Sequence, residues 1–269
     1  MVPKLDDICQ ALEGIAPTGL AESWDNPGLQ VGEFSKKVDR ILISLDPTMD
    51  ALREASCRKA QVLITHHPLI FASLSSIRPE RYPGCVIFEA IRRGIAIVAV
   101  HTNLDLAIGG INDKLADLLG LRDVGVLIEK EGWSVQNTGL GRIGDLVDPL
   151  PLSNIVQRVK KILGIETVRV LGDGNKRMSR VAVVGGSGAG TIATSAEKGA
   201  DLLVTGDVRH HQAMEAGILG LALIDGGHFY TERAALRFFA KDLRSAFKYK
   251  GWNVSVEVFE DERDPFRYE

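Results

Sequence analysis

The chain has six histidines in 269 residues, and they are grouped rather than scattered: His66-His67, His101, His210-His211 and His228. They gather at or shortly after the carboxyl ends of apolar runs that read as buried strands. In open α/β sheets those ends are where ligands bind. Thr65-His66-His67-Pro68 closes one such run. Within a strand, adjacent side chains point to opposite faces. At its end, with Pro68 holding His67 extended, both imidazoles can turn to one side. Two adjacent imidazoles suit two neighbouring metal ions better than one. The alternative is a pair of satisfied histidines with no ligand.

Two further segments have a histidine and a carboxylate four residues apart, His101-Thr-Asn-Leu-Asp105 and His228-Phe-Tyr-Thr-Glu232. That spacing puts both groups on one helical face. A carboxylate has two oxygens and can bridge paired cations. A His/carboxylate set without cysteine favours zinc, iron or manganese. His210-His211 sit at the start of an expected helix over 209–216 and can line the same cleft. Val183-Val-Gly-Gly-Ser-Gly-Ala-Gly190 lacks the spacing and the lysine of a P-loop. It reads either as a tight turn or as a phosphate cradle built from Gly185, Gly186 and Gly188, with Lys198 and Arg209 as the nearest bases. Trp24, in the turn-forming stretch Glu22 to Gly32, reads as a buried ring or a wall of the cleft.

The elements that must position these residues follow from apolar periodicity. Helices are expected over 4–15, 48–59 (begun by Thr48), 84–93, 112–119 and 191–199. Strands are expected over 40–45, 62–65, 95–100, 180–184, 202–205 and 221–224. Continuous apolar strands alternating with helices indicate parallel sheets covered on both faces. At a constant offset of 140, Arg40 falls on Arg180, Ala60 on Ala200, Leu63 on Leu203 and Thr65 on Thr205 without a gap. Gly94-Ile-Ala-Ile-Val likewise falls on Gly220-Leu-Ala-Leu-Ile, and one further shift sets His101 on His228 and Asp105 on Glu232. The expected fold is therefore α/β: two related lobes from an internal duplication, with a dinuclear metal site in the cleft between them. The lobes are expected over 1–126 and 127–239. A glycine-rich hairpin around 132–144 opens the second lobe, and 240–269 forms a C-terminal helix and strand assigned to neither.

Composition narrows the function classes. Hydrophobic residues make up 45% and net charge is −3, which excludes a disordered chain. There is no polycation to hold nucleic acid or an anionic membrane nonspecifically. No apolar run approaches the roughly 20 residues of a membrane helix. The opening residues carry no secretory apolar region. Three cysteines, Cys9, Cys57 and Cys85, form no CxxC pair, so a reducing, cytoplasmic location is expected.

Glu22-Ser-Trp-Asp-Asn-Pro-Gly-Leu-Gln-Val-Gly, Leu63-Ile-Thr-His-His-Pro, His101-Thr-Asn-Leu-Asp, Thr205-Gly-Asp and Gly226-Gly-His-Phe-Tyr-Thr-Glu, in that order across the chain, closely resemble one family. It is the GTP cyclohydrolase 1 type 2 homologues, also called the NGG-interacting-factor-like family. The length matches its short form, without the inserted middle domain. The resemblance implies two divalent metal ions held by His66, His67, Asp105, His228 and Glu232, with Glu232 touching both. It also implies a ring-like homo-oligomer, a hexamer. The implied activity is a hydrolase of the cyclohydrolase type, in which metal-activated water attacks a small nucleotide-like substrate. His101, just ahead of Asp105, is the candidate for proton transfer. The alternative is a non-catalytic metal-binding regulator or metallochaperone that assembles into a ring.

Overall fold

The computed structural model describes residues 1–133 and 135–267. In chain order the elements are α1 (Leu5–Glu13), β1 (Gly28–Val31), β2 (Arg40–Ser44), α2 (Met49–Cys57), β3 (Val62–Thr65), α3 (Gly84–Arg93), β4 (Ala96–Ala99), α4 (Thr102–Leu106), α5 (Ile111–Leu119), β5 (Arg122–Glu129) and β6 (Gly139–Pro151). They continue with α6 (Leu152–Leu163), β7 (Arg169–Leu171), β8 (Arg177–Val183), α7 (Ile192–Glu197), β9 (Leu202–Thr205), α8 (His210–Ile218), β10 (Ala222–Asp225), α9 (His228–Tyr249) and β11 (Ser255–Val258). The fold is mixed α/β with two sheets. No helix among the described residues is long and apolar enough to cross a membrane.

The chain divides into two compact units, 1–104 with 236–269, and 105–235. The first contains a five-stranded sheet in the order β1-β4-β3-β2-β11. Strands β3 and β4 are buried at every residue, and β2 at all but its first. Their side chains enter a core of Leu42, Leu52, Leu63, Val86, Ile87, Ile97 and Phe259, among others. Both faces of these strands are covered, so they have no polar alternation. Thr48 starts α2 as expected, its side chain accepting the Ala51 N–H at 3.1 Å, a standard N-cap. Gly94, at φ 63°, ends α3 in the left-handed conformation that glycine adopts without steric cost. The C-terminal segment left unassigned by sequence joins this sheet, with β11 running parallel to β2. Glu262 follows it and accepts the N–H groups of Leu45 (2.7 Å) and Asp46 (2.8 Å).

The second unit carries a six-stranded sheet in the order β5-β6-β8-β9-β10-β7. Its core gathers Leu127, Ile143, Ala182, Val184, Ile192, Leu203, Leu221 and Leu223. The hairpin that opens it is built from β5 and β6. The glycine-rich stretch thus supplies the connection and the second arm, while the first arm begins at Arg122; Ser134 within that stretch lies outside the described residues. Residues 105–126 belong to this unit, whereas the sequence places them in the first lobe. Buried Arg142 of β6 shows why. It donates to the Asp113 carboxylate of α5 and to the carbonyls of Ala107, Gly139 and Gly141. Helix α6, with Leu152, Ile155 and Val159 on its buried face, was not anticipated.

Within each unit a matching sequence of strands recurs. β2 and β3 are parallel with Ile41 opposite Val62 and Ile43 opposite Ile64. β8 and β9 are parallel with Val181 opposite Leu202 and Val183 opposite Val204, the same register at the offset of 140. β3–β4 and β9–β10 are again parallel and in corresponding register. An antiparallel strand then flanks each, β1 on β4 and β7 on β10.

Candidate metal centre

In the first unit, backbone pairing extends past β3: His66 N–H donates to Ser44 O and His67 N–H to Leu45 O. The Thr65 hydroxyl donates to the His67 carbonyl at 2.7 Å. Despite this extended path the two rings lie on one side, with centroids 5.1 Å apart. His101, leaving β4, completes a triangle at 5.3 Å from His66 and 5.5 Å from His67. One ring nitrogen from each of the three lies within 4.8 Å of the others.

Each ring is oriented through Nδ1. That of fully buried His66 meets the Val100 carbonyl at 2.8 Å. That of His67 meets Asp46 Oδ1 at 2.7 Å, and that of His101 meets Asp25 Oδ1 at 2.7 Å. An acceptor at Nδ1 fixes the tautomer with hydrogen on that atom, so Nε2 is the nitrogen each imidazole can offer a metal. Asp46 is itself fixed, because Glu262 holds its N–H. Asp25 has a fully buried side chain. Burial alone would raise its carboxyl. Hydrogen bonds from His101 and Thr102, the charge of His101 and the Asn26 N–H outweigh it and hold the group at about 2 against 3.8.

In the second unit, His228 and Glu232 occupy the first turn and a half of α9. His228 Nε2 lies 3.1 Å from Glu232 Oε2, the i,i+4 geometry expected from their spacing. His228 repeats the pattern of the first unit, its Nδ1 meeting Asp207 Oδ2 at 2.7 Å. Glu232 is buried against the glycine-rich turn. A Cβ on Gly186 would lie 2.9 Å from its carboxyl carbon and closer still to Oε1. The phosphate-cradle reading of this turn is excluded, because its N–H groups are already engaged. Gly185 donates to Asn112 Oδ1 (2.9 Å), Gly186 to Thr231 Oγ1 (3.0 Å) and Gly188 to Thr205 Oγ1 (2.9 Å). The glycines serve close approach to Glu232. Asn112 also donates to the Asp105 carbonyl at 3.0 Å, which ties the buried Asp105 to the same turn.

The structure therefore brings His66, His67 and His101 together in one unit and His228 with Glu232 in the other, and buries Asp105. His210 and His211 are exposed on the first turn of α8 and belong to neither donor set. Trp24 is not a buried ring but 56% exposed. Sequence reading missed Asp25, Asp46, Asp207 and Glu262. The first three had a usable signal: each is an aspartate in a turn motif or just beyond a strand's carboxyl end. Glu262 had none. The donor sets fit a divalent metal: clustered imidazoles held by second-sphere acceptors, plus a buried carboxylate, are borderline-hard ligands of the kind zinc, iron and manganese take.

Known proteins agree in extent. The sequence model of a family described as Duf34/NIF3 (NGG1p interacting factor 3) matches residues 3–265. A Clostridium acetobutylicum protein named "GTP cyclohydrolase 1 type 2 homolog" is 34% identical over 265 residues, 98% of this chain and 98% of that one. A Staphylococcus aureus protein of the same name is 26% identical over 366 aligned positions, 98% of this chain and all of the relative. That relative therefore carries residues with no counterpart here, as a short form requires. The crystal structure of a Bacillus cereus protein related to NIF3 superposes with a TM-score of 0.94 at 28% identity, covering 100% of both chains.

Proposed function

Because the chain belongs to the Duf34/NIF3 (NGG1p interacting factor 3) family, we propose that it is a dinuclear-metal-dependent hydrolase acting on a small, nucleotide-like substrate. His66, His67, Asp105, His228 and Glu232 would be its metal ligands, with Glu232 shared between the two ions. The observation that carries the reading is the uniform orientation of the imidazoles. His66, His67 and His228 each engage a carbonyl or carboxylate at Nδ1, a second sphere that a purely structural histidine does not need. Divalent zinc, iron or manganese bound by this set supplies Lewis acidity, polarising a substrate oxygen and acidifying water.

His101 is the proton-transfer group. Asp25 accepts from its Nδ1, which fixes the ring's orientation and tautomer, as an acid–base histidine requires. The Nε2 edge then faces the other two imidazoles and can take a proton from, or return it to, a substrate atom there. Asp46 and Asp207 orient His67 and His228 in the same way.

The matched strand order and register support an internal duplication, in which each copy supplies one donor set. The copies have diverged at the strand end. His66-His67 in one corresponds to Gly206-Asp207 in the other, where a side chain at 206 would meet the backbone of His228. We also propose a homohexameric ring. Phe88 and Ile91, one turn apart on α3 and 50% and 64% exposed, offer apolar area for assembly. The three thiols, all free, suit a reducing cytoplasm.

Elemental analysis of purified protein tests the reading. Two divalent ions per chain are expected, with Glu232→Ala losing both and His66→Ala or His67→Ala weakening mainly one. Retention of two ions by Glu232→Ala removes the bridge, and a wild type that takes up none after loading removes the metal. Metal-loaded protein that releases no hydrolysis product from a panel of purine nucleotides removes the enzyme.

A further inference from the structure

The stretch that carries Trp24 and the stretch that carries Phe71 are bound to each other and to the imidazole cluster. Asn26 Nδ2 donates to the Ile70 carbonyl at 2.6 Å, and Ile70 N–H donates to Gln30 Oε1 at 3.1 Å. Gln30 in turn donates to the Asn26 carbonyl at 2.8 Å. Asp25, next to Trp24, accepts from His101 and from the Thr102 N–H, while Glu22 N–H donates to the Thr102 hydroxyl. The segments flanking the two aromatics are thus fixed by hydrogen bonds, yet the rings themselves remain open. Trp24 is 56% and Phe71 57% exposed. Their centroids are 5.7 Å apart, and each lies edge-on to His101, at 5.9 and 6.4 Å.

Large aromatics held open on a rigid support, beside polar groups that converge, are surfaces for a ligand rather than for the core. We propose that Trp24 and Phe71 form a stacking platform for the planar heteroaromatic ring of the substrate and so select for a base-bearing molecule. The proposal rests on the hydrolase reading above only for what happens to that molecule. Two rings present far less than the roughly 800 Å² per partner that a stable protein interface buries, but enough to cover one base. The edge contacts with His101 set the seated ring next to the proton-transfer group. Stacking is sequence-tolerant because every base has a π-face, so the platform requires a flat ring without dictating which one.

The test uses guanosine 5′-monophosphate and adenosine 5′-monophosphate as probes and ribose 5-phosphate, which lacks the ring, as control. Binding is measured by calorimetry on metal-loaded full-length protein, with metal content and assembly mass recorded for every variant. In a Trp133→Phe, Trp252→Phe background, either nucleotide should quench the emission of Trp24, and the control should not. Trp24→Ala and Phe71→Ala should each weaken nucleotide binding about tenfold at unchanged metal content, with Trp24→Phe restoring most of it and ribose 5-phosphate unaffected throughout. The proposal is overturned if neither nucleotide binds the loaded wild type, or if both bind the alanine variants as tightly as wild type. It is equally overturned if the variants change the assembly mass and leave nucleotide affinity alone, which would make the pair a contact between copies. A wild type without metal that still shows the Trp24-dependent affinity would remove the metal reading and keep the platform.

Discussion

Alanine at Gly186 probes the contact on which the second donor set depends. The residue sits at φ 65°, a conformation that costs an L-side chain about 1–2 kcal/mol. Its new Cβ would lie 2.9 Å from the Glu232 carboxyl carbon and 3.3 Å from His228 Nε2. The buried carboxylate has to move, and its contact with His228 at 3.1 Å is lost or stretched. Displacing a well-packed buried group costs about 1–3 kcal/mol. The stiffer unfolded chain returns about 0.5 kcal/mol, leaving a net loss of about 2–4 kcal/mol. Gly190, four residues on, has no positive φ, and a methyl added there would meet nothing within 4 Å, so Gly190→Ala should change stability by less than about 0.5 kcal/mol. Urea unfolding of the metal-free proteins reads both. The Gly186→Ala midpoint should fall by about 1 M and that of Gly190→Ala should stay in place, with metal uptake impaired only in the first. Equal midpoints and equal metal uptake would refute the idea that the glycine run exists to admit Glu232.

The remaining predictions address the first unit. Asp25, held at about 2 against 3.8, contributes about 2 kcal/mol that is fully present above pH 4 and lost as the pH falls towards 2. Asp25→Asn should therefore flatten the acid limb of the stability profile of metal-free protein in that window, and an unchanged limb would count against the pairing. Glu262→Ala leaves the N–H groups of Leu45 and Asp46 without their acceptor. It should lower stability by about 1–3 kcal/mol and also weaken the metal bound through His67; thermal unfolding and elemental analysis check the two effects. Burial, with Asp6 and Glu13 nearby, pushes the Cys9 thiol up to about 11. At pH 8, iodoacetamide should modify exposed Cys57 well before Cys9, as peptide mass mapping would show.

The pairing of the two strand series shows what a repeat in sequence can and cannot convey. The offset of 140 anticipates the register of β2 on β3 and of β8 on β9, because buried parallel strands must match apolar residues along their whole length. It does not anticipate β7, where three residues pair with β10 at a sheet edge, or β11. β7 carries too little periodicity to stand out, whereas a strand in the C-terminal segment was expected; the place of both is fixed by the sheet that receives them.

Local chemistry determined the rest of what was legible. The strand-end position of His66-His67, the four-residue spacing of His228 and Glu232 and the Thr48 cap all follow from periods of two and 3.6 residues and from turn formers, while the ligand set is what the family resemblance implies. Tertiary structure decided which groups answer one another. His101 meets Asp25 from 76 positions away and Asp46 is held by Glu262 from 216. The N–H groups of Gly185, Gly186 and Gly188 are spent on Asn112, Thr231 and Thr205, and Trp24 stays open beside Phe71. Hydrogen bonds and ring contacts act over a few ångströms in space, whereas sequence patterns report only neighbours along the chain. Partners set by sheet register and by the return of a distant segment therefore exist only once the chain has folded.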